Sequence, residues 1–411
     1  MDSPPSSTAF PPSPSLLRHP PFICYVSGRA FSRFSSQIAA VAVGWQVYAL
    51  TGSAFALGMI GLVQFLPSAL LVFVAGHAAD RHDRKRMLQI CQTIKGLAAG
   101  YLAWGSMSGW LTVPEIYGAI LIFGAASAFE SPAGSALMNA VAPEGHLQRA
   151  SALTSGVGQV AAISGPALGG LAYAISPGAA YVLMAVFCIL AVVCNEFMRV
   201  ARRVTAKEPP TLTDLFAGAR FIRQNPAILG TISLDLFAVL LGGATALLPI
   251  YARDILHTGP WGLGALRSAP AVGALLMTLT LAQRPIQRRV GMRMFQAVIV
   301  FGVATVIFAL SHSFWLSFGV LAIMGAADAI SVVIRVSLVQ LSTPDHMRGR
   351  VGSVNFLFIN ASNQLGEFES GLTAAWFGAV PAALLGGLGT IAIAFLWMKW
   401  FPALRAVERL E

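Results

Sequence analysis

From residue 22 onward the chain alternates long apolar stretches with short polar breaks. The first set of runs lies at 22–50, 55–79, 87–108, 114–140, 149–175 and 178–199. A second set lies at 227–253, 260–283, 294–311, 314–341, 351–377 and 380–400. Each run supplies the ~20 residues that a hydrocarbon core about 30 Å thick requires, and the longer ones must tilt or protrude. The runs are continuous, not alternating, which excludes a membrane barrel. The pattern predicts an all-α polytopic membrane protein with twelve transmembrane helices in two six-helix halves, 22–199 and 227–400.

Three polar segments frame these halves. Residues 1–21 are rich in Pro and Ser and lack an early apolar core, which predicts a disordered cytoplasmic tail and not a signal peptide. The segment 200–226 joins the halves. Its Leu212, Leu215, Phe216, Ala219, Phe221 and Ile222 leave Arg220 and Arg223 on a more polar side, as in a short interfacial helix. Residues 401–411 form a second cytoplasmic tail.

The basic residues fall in every second connection: Arg81, Arg84, Lys85 and Arg86; Arg149; Arg199 to Arg223; Arg284 to Arg293; Arg348 and Arg350; and Lys399, Arg405 and Arg409. Only Arg253 and Arg267 fall on the other side, around the connection between spans seven and eight. This positive-inside pattern predicts that both termini are cytoplasmic, and the expected location is a bacterial inner membrane.

Composition then removes whole classes of function. Charged residues make up 11% of the 411, against roughly 25% in soluble domains. The net charge of +10 is a topological mark on one face, so no nucleic-acid partner is expected. Cys24, Cys91, Cys188 and Cys194 show no CxxC spacing and read as apolar fillers. All seven histidines fall in connections or at span ends, so no histidine relay or metal site is expected in the membrane. No P-loop is present, and no nucleophile–base–acid set can be assembled within the spans. The chain is expected to be no enzyme, to hold no cofactor or metal, and to work as a monomer.

Charges left inside the spans carry the functional argument, because each is costly in lipid and must face a cavity or a partner. Arg29 and Arg33 share one face of span one, and Glu130 lies at a compatible depth in span four. A structural Arg–Glu pair and a substrate contact both fit that arrangement. Asp235 sits roughly 12 Å into span seven, and Asp328 roughly 21 Å into span ten, with Arg335 two turns further on. Glu367 and Glu369 lie in span eleven on different faces. With no histidine available, proton coupling falls to carboxylates: Asp235 and Asp328 first, then Glu130 and Glu367. Arg29, Arg33 and Arg335, with Glu130, are candidate substrate contacts, and Trp45, Gln46 and Gln64 could add stacking and hydrogen bonds. Lys95 reads as a snorkelling residue.

Motifs sharpen this picture. At an offset of 201 residues Pro143-Glu144 and Arg149 are echoed by Pro344-Asp345 and Arg350, and Gly165 and Gly170 by Gly366 and Gly371. Such a duplication places a substrate site near midplane between the halves. The inner end of span two reads Gly76-His-Ala-Ala-Asp80-Arg81-His-Asp-Arg84-Lys85-Arg86. It resembles the signature of the major facilitator superfamily, with Asp83 where that family usually has Gly. There Gly76 would let helices approach, Asp80 would accept from an opposing helix N-terminus, and Arg81 and Arg84 would pair at the gate. Gly156, Gly165-Pro166 and Gly169-Gly170 in span five resemble the antiporter motif of the same superfamily, which adds Gly165 and Pro166 to the gating set.

The stretch from Thr343 to Gly371 is similar to the enterobactin-exporter branch. The resemblance spans essentially 22–400. It implies the major facilitator fold, a cavity lined by spans one, four, seven and ten, and proton-driven export of a siderophore or related amphipathic compound. A multidrug or lysophospholipid mover of the same fold is the alternative within the class, and a non-transporting sensor or scaffold the alternative outside it.

Overall fold

The computed structural model describes residues 16–143, 145–199, 212–344 and 347–409. The first half contains α1 (Pro20–Thr51), α2 (Ala54–Arg81), α3 (Arg84–Ser108), α4 (Val113–Val141), α5 (Leu147–Ile175) and α6 (Pro177–Phe197). A connecting helix, α7 (Leu212–Gln224), precedes α8 (Pro226–Leu241), the one-turn α9 (Leu248–Ile250), α10 (Gly259–Gln283), α11 (Val290–Ala309), α12 (Phe314–Leu341), α13 (Arg348–Phe377), α14 (Ala379–Trp400) and the short α15 (Pro402–Arg405). With α8 and α9 taken as one interrupted span, the described residues form twelve spans. Their ends lie within a few residues of the expected ones. Most of the expected tail and part of the connecting segment (1–15 and 200–211) lie outside the described residues.

Helices are what lipid permits, because every backbone N–H and C=O must be satisfied within the segment. Eight spans are long and apolar enough to cross a membrane by composition alone. The other four, α1, α3, α5 and α13, run 25 to 32 residues and are more polar. Three of these (α1, α3 and α13) contribute charged side chains to the interior.

Span seven departs from the expected continuous helix. It stops at Leu241, and Gly242 and Gly243 lead into a 3-10 turn (Ala244–Leu247), α9 and a π turn (Tyr251–Ile255). The double glycine is required by crowding: a methyl on Gly243 would fall 2.6 Å from the Gly366 carbonyl oxygen of α13. Backbone of this irregular kind is tolerated at membrane depth only where protein surrounds it.

The two ends of the molecule are joined differently. At the end opposite the basic loops, one apolar cluster draws on both halves: Val41, Tyr48 and Leu57 pack with Leu247, Tyr251 and Leu263. The clusters nearer the basic end belong to single halves, one around Phe22, Leu88 and Leu137 and another around Leu234, Phe295 and Leu404. Glycines follow the same division. A methyl on Gly170 of α5 would fall 2.5 Å from the Pro260 carbonyl oxygen, and one on Gly58 of α2 would fall 2.9 Å from Gly371 of α13. Toward the basic end, Gly76, Gly156, Gly349 and Gly352 have no atom from another element within 4 Å of the same position among the described residues. Among the described residues the tightest contacts between the halves therefore lie at the far end, where they act as a clamp. Small residues permit the clamp, since lipid provides no hydrophobic drive and close backbone contact must supply the attraction.

Candidate functional site

Between the halves lies a cavity of about 270 Å³, with walls from α1, α2, α3, α4, the α9 segment, α10 and α13. Its apolar wall includes Ala40, Ile60, Phe123 and Pro249, and its polar groups are Ser36, Gln64, Lys95, Ser127, Arg267, Gln364 and Glu367. Arg267 Nη2 of α10 stands 3.6 Å from Glu367 Oε1 of α13. The sequence reading placed Arg267 outside the membrane. It lies eight residues into α10, about 12 Å along the helix, and faces the cavity.

Beside the cavity, in the first half, one carboxylate gathers three donors. Ser32 Oγ donates to Glu130 Oε1 at 2.5 Å and Arg29 Nη1 to the same oxygen at 3.1 Å, while Lys95 Nζ reaches Oε2 at 2.6 Å. The Lys95 and Glu130 side chains are 8% and 7% exposed, so the pair is dry. This corrects the snorkelling assignment for Lys95. It lies eleven residues from the start of α3, about 16 Å, too deep for its stem to return to the interface, and a carboxylate is at hand instead. The expected Arg29–Glu130 pair is present. Local packing explains it: Gly134, one turn from Glu130, leaves room for the Arg29 guanidinium, and Tyr25 donates to the Gly134 carbonyl at 2.9 Å.

In the second half the carboxylates form a separate group. Asp235 of α8 is ion-paired with Arg335 of α12, and both are buried. Asp235, Asp328 and Ser331 line one small pocket with Phe301 and Val298, away from the central cavity. Arg335 Nε has no hydrogen-bond partner among the described residues. Glu369 accepts from Thr373 Oγ1 at 2.8 Å.

Several expected substrate contacts are not brought to the cavity. Arg335 is 4% exposed and turned to α8, because α12 packs within its own half. Gln46 points away, with Nε2 3.4 Å from Ser106 Oγ of α3. Trp45 wedges between the apolar cluster shared by the halves and the one centred on α3 and α6. Gln64 does line the cavity. Arg33 is exposed on α1, one turn toward the basic end from Ser36.

The gate motif is partly in place. Asp83, the departure from the usual glycine, caps α3 and accepts from the backbone N–H groups of Lys85 (2.9 Å) and Arg86 (3.3 Å). Arg84 Nε donates to the Ala79 carbonyl at 3.2 Å, and Lys85 Nζ to the Glu196 carbonyl at 2.7 Å. Arg81 is exposed. Gly76, expected to admit a neighbouring helix, has no other element within 4 Å of its Cβ position among the described residues. The Asp80 side chain lies outside the described residues. In α5 the glycine–proline segment works as a two-sided junction. Gly165 and Gly169 receive Gln37 and Ile38 of α1, while Pro166 and Gly170 meet Gly264 and Pro260 of α10. At the far end Tyr48 of α1 hydrogen-bonds to Asp254, and Arg253 lies over the Tyr48 ring, 5.5 Å from its centre.

Sequence reasoning missed Lys95, Arg267, Ser32 and Ser36 as interior groups. The available signal was depth, since neither cation stands within two turns of its helix end.

Known proteins share this arrangement. The chain is 25% identical over 400 residues to macrolide efflux protein A of Streptococcus pyogenes, covering 94% of this chain and 96% of that one. It is 27% identical over 386 residues to an enterobactin exporter of Citrobacter koseri, covering 92% and 87%. Among solved structures, a bacterial homologue of the lysosomal transporter Spinster superposes with a TM-score of 0.71 at 13% identity, covering 93% of this chain and 95% of that one. A bacterial homologue of the iron transporter ferroportin gives 0.70 at 17%, covering 93% and 99%. Twelve helices in two clamped halves around one polar cavity, and a family match across residues 26–367, lead to one assignment: the chain belongs to the Major Facilitator Superfamily.

Proposed function

We propose that this transporter is a proton-coupled exporter that takes a siderophore-like or other amphipathic small molecule from the cytoplasmic side of a bacterial inner membrane. The observation that carries the reading is the central cavity, walled by both halves, with an apolar cluster that both halves share at the far end. With the basic loops in the cytoplasm, both termini are cytoplasmic and the cavity receives substrate from inside. The halves, 22–199 and 227–400, then rock about the cavity. The contacts of α2 with α13 and of α5 with α10 open at the far end as the basic ends close. Efflux-type relatives support the direction, and the amphipathic class follows from a wall that is apolar with a few charged groups.

Asp235 and Asp328 are the proposed proton carriers, with Arg335 as the fixed counter-charge beside them. Asp235 is paired with Arg335 and Asp328 lines the same small pocket as Asp235, so the three groups together are neutral only when they hold one proton. Glu367, in the cavity beside Arg267, is where substrate and proton would compete.

The test is transport in proteoliposomes with an imposed pH gradient, using enterobactin and erythromycin as cargo. Asp235→Asn and Asp328→Asn should insert normally and lose gradient-driven accumulation. Full accumulation in both variants would remove the coupling assignment.

A further inference from the structure

The two halves carry opposite surplus charge inside the membrane. In the first half Arg29, Arg33 and Lys95 face one acid, Glu130. In the second, Asp235, Asp328, Glu367 and Glu369 face Arg267 and Arg335. Acids in excess can be neutralised by protons. Arginine cannot lose its proton in a protein, so cations in excess require an anion from elsewhere.

Glu130 is already spent on Arg29, Lys95 and Ser32, which leaves Arg33. It has no hydrogen-bond or ion-pair partner among the described residues. Its direction follows from helix geometry. Arg33, Ala40 and Gly44 fall at i, i+7 and i+11, one stripe of α1, and Ala40 and Gly44 line the cavity. The neighbouring positions are taken up by protein: Ser32 turns to α4, while Phe34 stacks on Phe187 of α6 and approaches Gly165 of α5. Arg33 therefore projects toward the axis between the halves, about 10 Å nearer the basic end than Ala40. Substrate entering from that end passes it.

We infer that Arg33 anchors the acidic group of an amphipathic anion at the mouth of the cavity, with the apolar part of the molecule lying against Ile60, Phe123 and Pro249. A carboxylate, sulfonate, catecholate or phosphate satisfies the site equally, because the guanidinium fork accepts any planar or tetrahedral oxyanion. The inference rests on the transport reading and narrows its substrate to the anionic class. The same headgroup chemistry could be offered by a free compound or by an anionic lipid.

The test uses the purified full chain and two xanthene dyes of matched size, anionic fluorescein and cationic rhodamine 123, with binding followed by fluorescence anisotropy. The wild type should bind fluorescein at least tenfold more tightly. Arg33→Gln should weaken fluorescein about tenfold, equivalent to about 1.4 kcal/mol, and leave rhodamine 123 unchanged. Arg33→Lys should retain most of the preference, which separates charge from a loss of fold. Equal affinity for the two dyes, or a fluorescein affinity unchanged in Arg33→Gln, overturns the inference. Repeating the titration with added phosphatidylglycerol or phosphatidylcholine separates the sources. Displacement of fluorescein by phosphatidylglycerol alone assigns the site to a lipid headgroup, and persistence assigns it to a free compound. Dye movement in proteoliposomes is scored separately. Arg33-dependent binding without transport would sink the exporter reading and not the anion site, and transport confined to rhodamine 123 would do the reverse.

Discussion

Replacing Glu130 by Gln keeps the side-chain shape and the Ser32 hydrogen bond but removes the charge that Arg29 and Lys95 share. Lys95 is then a buried ammonium with no counter-charge, its side chain 8% exposed. Removing one partner of a buried ion pair costs about 3–5 kcal/mol, mostly the desolvation of the abandoned charge. Arg29, at 18% exposure, can recover part of its hydration and adds less. Glu130→Gln is therefore expected to destabilise the chain by about 3–5 kcal/mol. Lys95→Met alone should cost less, because Arg29 and Ser32 still satisfy the carboxylate. The double variant removes both members of the 2.6 Å pair and should be more stable than Glu130→Gln alone. Unfolding in mixed micelles of rising SDS fraction, followed by tryptophan fluorescence, gives the double-mutant cycle, with an expected coupling above about 1 kcal/mol. Additivity within about 0.5 kcal/mol would show that Lys95 and Glu130 do not depend on each other and refute the argument.

Other consequences can be checked at the two ends. Gly170→Leu places a branched side chain where even a methyl would fall 2.5 Å from the Pro260 carbonyl, so the far-end clamp should be unable to close. Spin labels at Thr51 and Thr258 should report a longer distance, and an unchanged distribution counts against the clamp. Tyr48→Phe removes the bond to Asp254 while keeping the ring beneath Arg253, and should shift the same equilibrium toward far-end opening about fivefold, equivalent to about 1 kcal/mol. Asp83→Ala should cost about 0.5–2 kcal/mol through loss of the α3 cap, with faster amide exchange at Lys85 and Arg86. Protection equal to the wild type at those two amides would contradict the capping role.

Much of the fold was legible because lipid makes it so. The bilayer sets span length and the backbone must bond internally, so runs of apolar residues translate almost directly into helices. Span seven was the exception. Its mean hydropathy is as high as that of the other spans, and the break is explained by the crowding of Gly242 against Phe301 and of Gly243 against Gly366. The site was legible in kind but not in partnership. Glu130 and Arg29 matched in depth, which left a pair and a substrate contact both open, whereas Lys95 and Arg267 were assigned to interfaces because a lone cation usually belongs there.

By itself the chain determined that twelve helices would form, where the basic loops would gather and which charges would be left in the interior. Tertiary structure decided how those charges divide. Arg335 went to Asp235, Lys95 joined Arg29 at Glu130, and Arg267 went to Glu367, while Arg33 was left exposed with no ion-pair partner among the described residues. The physical reason is that depth is a property of one helix, read from its own residues. Partnership depends on the rotation and approach of two helices, and those follow from where glycines such as Gly58, Gly134 and Gly170 let the helices meet.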